Sequence, residues 1–137
     1  MMGELAALRH DLNLDGSVVF LGHVPRSTVW QVMKAAAVYV SLSAFEGCPN
    51  AVLEAMACGC PLAISDIPGH REIADDTCAA FIRPISSDQT ADVVLKVLSD
   101  SSLSGRRAEA ARLKIEGWGT SAMAKGYEEI YEKLTGN

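Results

Sequence analysis

The chain has 137 residues, enough for one domain, and its 49% hydrophobic and 21% charged content excludes an intrinsically disordered polypeptide. Lys and Arg total 12 against 17 Asp and Glu, a formal net charge of −5, so there is no basic excess to release counterions from nucleic acid or an anionic membrane. No apolar run approaches bilayer length, and the opening MMGELAALRH carries Glu4 and no apolar signal-peptide stretch; the expectation is a cytoplasmic protein without a membrane span.

In chain order, Leu5, Leu8 and Leu12 form a first helical stripe. The run SVVFL at 17–21, closed by Gly22, has the signature of a buried strand. Pro25 suits a first helical turn, and Val29, Val32, Met33 and Ala36 follow at i, i+3, i+4 and i+7. A second strand is predicted at 38–42 (VYVSL). Pro49 opens a helix carrying Val52, Ala55 and Met56, which Gly59 and Pro61 stop. Further strands are predicted at 61–65 (PLAIS) and 78–82 (CAAFI), with a short helix at 69–74 between them. Ser86 and Gln89 stand at capping-box spacing before Ala91, Val94, Leu95 and Leu98. Helical patterns end the chain at 108–115 and at Met123, Tyr127, Ile130 and Leu134. Alternating strands and helices predict an α/β fold, a Rossmann-like parallel sheet with helices on both faces.

Four cysteines (Cys48, Cys58, Cys60, Cys78) and three histidines (His10, His23, His70) do not fall at zinc-ligand spacing, so free thiols and no metal site are expected. Cys58 and Cys60 read as core thiols. Trp30 and Trp118 read as packing residues, and His23, His70 and Glu72 as polar loop residues. Dinucleotide, Walker A, G-x-S-x-G and H-E-x-x-H motifs are absent from the sequence.

The conspicuous segment is SLSAFEGCPNAVLEAMACGCPLAISD at 41–66. No Lys or Arg occurs between Lys34 and Arg71, and the acids there are Glu46, Glu54 and Asp66. Glu46 falls in a strand-to-helix loop near the helix start at Pro49, and Glu54 roughly 7–8 Å further along the axis. The carboxyl end of a parallel strand leading into a helix is where α/β sheets bind ligands, and free amides with a positive dipole there suit a phosphate. Carboxylates on both sides of a phosphate site fit a nucleoside diphosphate sugar, whose ribose and sugar hydroxyls each need acceptors. The plainer alternative is that Glu46 complements the helix dipole and Glu54 lies on a solvated face.

The stretch SAFEGCPNAVLEAMACGCP resembles the E-x7-E donor signature of retaining glycosyltransferases of the group 1 class (family 4), which have the two-domain GT-B fold. Ser43, Glu46, Gly47, Pro49, Leu53, Glu54, Ala55, Met56, Ala57, Gly59 and Pro61 stand on the pattern. VVFLGHVP at 18–25, ISDIPGHREI at 64–73 and the end from Trp118 to Tyr127 are similar to the family as well. The resemblance implies a C-terminal, nucleotide-sugar donor-binding domain. It would transfer a glycosyl group from an NDP-sugar (a UDP- or GDP-sugar) with retention of configuration, without a cofactor and usually without metal. Glu46 would face the donor sugar at the reaction centre, Glu54 the ribose, and the Cys48, Pro49 and Asn50 backbone with Gly47 the sugar and pyrophosphate. The backbone at His23 and Val24 would border the base.

The family domain starts with two strands and a helix that this sequence lacks, and its Arg and Lys diphosphate clamp lies in that part. No basic residue in the signature replaces the clamp. With no N-terminal acceptor domain either, the chain reads as a glycosyltransferase fragment unable to turn over alone. The alternative is a non-catalytic Rossmann-like nucleotide-binding or protein-interaction module. Loss of the first two strands would leave the strands at 17–21 and 38–42 with open edges, which either become adjacent or pair with a second copy.

Overall fold

The structure, a computed structural model, describes residues 2–83 and 85–136. Three short parallel strands, β1 (Tyr39–Ser41), β2 (Leu62–Ser65) and β3 (Ala80–Ile82), form one sheet in the order β1-β2-β3. Tyr39 pairs with Leu62 and Ala63 with Ala80, so each strand lies beside its successor in the chain. Helices α1 (Met2–Asp11) and α2 (Arg26–Ala35) precede the sheet. Then α3 (Asn50–Ala57) and α4 (Pro68–Ile73) alternate with its strands, and α5 (Ser87–Ser99), α6 (Ser101–Ile115) and α7 (Thr120–Thr135) follow.

Every β2 residue is buried, as expected of a strand covered on both sides. Leu62 and Ile64 face a core with Met33 of α2, Val52, Ala55 and Met56 of α3, and Ala111 of α6. Ala63 points the other way, to Ala80, Ile82 and the α5 residues Val93 and Val97. The expected α/β sheet with helices on both faces is therefore present.

Helix ends follow their sequence signals closely. Pro25 and Pro49 stand one residue ahead of α2 and α3, as N-caps without a side-chain cap. At the end of α3, Gly59 takes φ +69°, its N–H bonding the Met56 carbonyl and that of Cys60 the Ala55 carbonyl. This Schellman closure needs a residue free of a Cβ penalty. Ser86 caps α5 by accepting the Gln89 N–H at 3.2 Å.

One predicted strand is absent. Residues 17–21 form a turn and irregular chain, with Val19 74% and Leu21 54% exposed, and they pair with no strand. A β-branched run becomes a strand only where a neighbour supplies hydrogen-bond partners, and the described residues place none there. The segment at 17–21 has thus not paired with β1, which has no neighbour on its outer edge among the described residues. Leu5 and Leu8 of the first stripe lie in α1 and Leu12 in the turn after it, the second stripe (Met123, Tyr127, Ile130, Leu134) lies in α7, and all seven are exposed. Among the described residues no helix is long and apolar enough to cross a membrane.

Candidate functional site

The loop from β1 to α3 carries Glu46, which is half-buried. The Ser43 hydroxyl donates to Glu46 Oε1 at 2.6 Å, and the Ser43 carbonyl accepts from Ser65 Oγ, also at 2.6 Å. Ser65 ends β2 and is wholly buried, as is His70 on α4. His70 Nδ1 lies 2.8 Å from the Ser65 carbonyl, which can only accept, so the proton sits on Nδ1; the same N–H reaches Ser65 Oγ at 3.2 Å. A chain of hydrogen bonds thus runs from α4 through the end of β2 to the Glu46 carboxylate. His70 is a buried member of the scaffold, not the polar loop residue expected, and its Nε2 is left without a partner among the described residues. Glu72, beside it, is exposed as expected.

Gly69 completes this support. A Cβ there would lie 2.5 Å from the Glu46 carbonyl oxygen and 3.1 Å from Glu46 Cβ, closer than side-chain carbons come to other atoms. The α4 backbone therefore presses directly on the backbone that carries Glu46. The signal in the sequence was the glycine itself, in PGH, although its partner 23 positions upstream could not be read from it.

Glu54 lies further along α3 and meets a residue that the signature segment does not contain. Arg26 Nη2, at the start of α2, sits 2.5 Å from Glu54 Oε1, and the Arg26 guanidinium carbon lies 4.9 Å above the Trp30 ring. These groups line an open groove of about 680 Å³ with Lys34, Asn50, Cys58 and Trp118. Trp30 and Trp118, read as packing residues, are 41% and 52% exposed and belong to this groove. Cys60 and Cys78 are buried free thiols, and Cys58 is half-buried.

Between the two carboxylates stands the α3 N-terminus. The backbone of Cys48 to Asn50 is the part expected to face a ligand. Pro49 has no N–H, and the Asn50 N–H is already bound to the Cys48 carbonyl at 2.8 Å. The Cys48 and Ala51 N–H groups donate to no backbone or side-chain acceptor among the described residues, and Gly47 and Cys48 are exposed. Pro49 is buried, anchoring the turn. Tyr39, at the start of β1, senses both acids: burial raises its phenol above the ordinary value, and the charges of Glu46 and Glu54 raise it further. His23 is exposed and Val24 half-buried in the loop before α2, and neither hydrogen-bonds either carboxylate. Glu46 and Cys48 thus precede α3 in its entry loop, Glu54 lies one turn into α3 on the groove it shares with Asn50 and Arg26, and His23 and Val24 precede α2.

The sequence profile of glycosyl transferases group 1 matches residues 3–114. The chain belongs to the group 1 glycosyltransferases. It is 36% identical over 101 residues to an uncharacterized glycosyltransferase of Methanocaldococcus jannaschii, a match covering 73% of this chain and 26% of the relative. Among solved structures, the C-terminal domain of a group 1 family glycosyltransferase from Francisella tularensis superposes with a TM-score of 0.73 at 28% identity. That match covers 83% of this chain and 60% of the other. HepE of Anabaena, solved with UDP and glucose, has a TM-score of 0.82 at 22% identity over 99% of this chain and 36% of its own. The fold is that of the Rossmann-like C-terminal domain of GT-B enzymes, and the chain spans about a quarter of the length of the curated relatives it matches.

Proposed function

We propose that this group 1 glycosyltransferase chain binds the nucleotide-sugar donor of a retaining glycosyl transfer, with the α3 N-terminus as the centre of the site. The observation that carries this reading is the pair of carboxylates around an uncapped helix end, Glu46 fixed by Ser43 and Glu54 by Arg26. An ionised carboxylate only accepts hydrogen bonds, which suits the hydroxyls of a sugar and of a ribose. The positive end of α3, with the free Cys48 and Ala51 amides, suits the diphosphate between them.

In the reaction the bond from the sugar's anomeric carbon to the diphosphate oxygen breaks, and a bond from that carbon to the acceptor hydroxyl oxygen forms as the hydroxyl proton passes to the departing diphosphate. The nucleoside diphosphate departs with the electron pair, and its growing negative charge is met by the α3 amides and dipole. Glu46, held rigid through Ser43, Ser65 and His70, orients the sugar and stabilises positive charge as the ring gains oxocarbenium character. Gly47 leaves room beside it, and the His23–Val24 backbone borders the base. The site requires no metal in this reading. The acceptor side comes from an N-terminal domain outside this chain, and the open edge of β1 pairs with a second copy. The HepE complex supports UDP as a first ligand to test.

The direct test is thermal denaturation with UDP and with GDP. A ligand that binds only the native state raises the midpoint, with a stabilisation of about 2.7 kcal/mol at a hundred times its Kd. Failure of both nucleotides to move the midpoint or to give heat in calorimetry contradicts the proposal.

A further inference from the structure

We propose that Arg26 is the nucleobase platform of this donor site, its guanidinium presenting one face to the Trp30 indole and the other to the base of the bound nucleoside diphosphate. The inference rests on the reading of Glu54 as the ribose acceptor and adds a specific residue to it. Three observations converge on Arg26. Its Nη2 is tied to Glu54 Oε1, which fixes where one edge of the guanidinium plane lies. Its carbon sits 4.9 Å over the Trp30 ring, a cation–π contact that places the indole on one side of the guanidinium. Its side chain is nonetheless 69% exposed, so the opposite face is open to the 680 Å³ groove.

The chemistry follows from that placement. Glu54 keeps the lone pairs of Oε2, and one on Oε1, for a ribose diol after accepting from Arg26, so sugar and guanidinium do not compete for one acceptor. The base grows from the same ribose ring and is carried to the neighbour of Glu54, which is Arg26. Guanidinium planes stack on bases and aromatic rings alike, whereas a lysine ammonium is a point charge without a plane. Lys34 also borders the groove, but it stands eight residues on, about 12 Å along α2, beyond a base whose ribose sits on Glu54. Arg26 is two residues past Val24, so the platform adjoins the loop placed at the base's edge. An exposed ion pair adds little to folding, which makes Arg26→Ala a variant that folds.

The experiment is calorimetric titration of the whole chain with UDP and GDP, comparing wild type, Arg26→Ala, Arg26→Lys and Glu54→Ala. The platform predicts that Arg26→Ala weakens nucleotide binding by about 5- to 160-fold, the span for loss of one aromatic base-stacking partner. Arg26→Lys, with the charge kept and the plane lost, is expected to fall nearly as far. Unchanged or tighter binding by Arg26→Ala overturns the platform, and so does full retention by Arg26→Lys, which assigns the effect to charge alone. With wild type binding and Glu54→Ala weakened, those outcomes leave the donor site standing. Absence of binding by wild type removes the donor site and the platform together.

Discussion

Replacing Gly69 by alanine tests the geometry under Glu46. The added Cβ lies 2.5 Å from the Glu46 carbonyl oxygen, 3.1 Å from its Cβ and 3.2 Å from its carbonyl carbon. An ordinary contact needs at least 3.4 Å, so one backbone must retreat by roughly an ångström, and neither side is the loose end of a flexible chain. Overpacking of this kind costs about 1–3 kcal/mol. The retreat also moves the carboxylate that Ser43 holds at 2.6 Å, so nucleotide-sugar binding should weaken along with stability. Gly105→Ala is the matched control: that glycine lies inside α6 with nothing within 4 Å of the new carbon, and helix propensity predicts a gain of about 0.5–1 kcal/mol. Urea unfolding at constant m reads both variants. A Gly69→Ala protein as stable as wild type refutes the close approach of α4 to the Glu46 backbone, whatever the control does.

Other expectations follow from named contacts. Glu54→Ala should lower UDP affinity about tenfold or more in calorimetry, because a hydrogen bond to a charged acceptor is worth about 1.5–3 kcal/mol; unchanged affinity removes Glu54 from the site. Ser65→Ala, which takes a buried donor from the Ser43 carbonyl, should cost about 1–2 kcal/mol in urea unfolding, and no loss would mean that the chain to Glu46 is not taut. Arg71, with Arg83 beside it, holds the Asp66 carboxyl below its ordinary range, and Lys114 does the same for Asp75. Carboxyls depressed on folding stabilise the protein fully above the unfolded carboxylate pKa of about 4, and that stability is lost as pH falls through the folded values. Asp66→Asn should therefore flatten the acid limb of the stability–pH curve, and an unaltered limb counts against the Arg71 pairing. Light scattering at high concentration should show a dimer if the β1 edge pairs with a second copy, and a strict monomer contradicts that part of the proposal.

The core strands were legible because their signals are local and their partners are present. Runs at 38–42, 61–65 and 78–82 are short, apolar and bounded by Gly, Pro or polar turns, and the sheet forms within each of them. The run at 17–21 carries the same signal and yields no strand, since a strand is a relation between segments and its neighbour is missing from the described residues. Val52, Ala55 and Met56 announced the buried face of α3 by spacing alone. Glu46 and Glu54 were legible as a pair for the same reason, their distance along one loop and helix. Arg26 was not: it meets Glu54 across 28 positions, and an arginine opening an amphipathic helix looks like any solvated charge. His70 was misread because a polar residue in a loop is exposed by default, and only the close packing of α4 on the β1–α3 loop makes it internal.

The most direct test of the donor-site account is residue-resolved: amide NMR spectra of the isotopically labelled chain titrated with UDP. The account predicts shifts concentrated at Gly47, Cys48, Asn50, Ala51 and Glu54, with Val24 and Arg26 at the border of the same patch. Shifts confined to the second groove, between β3, α5 and α6 at Phe81, Lys96 and Arg107, or no shifts at all, would contradict it.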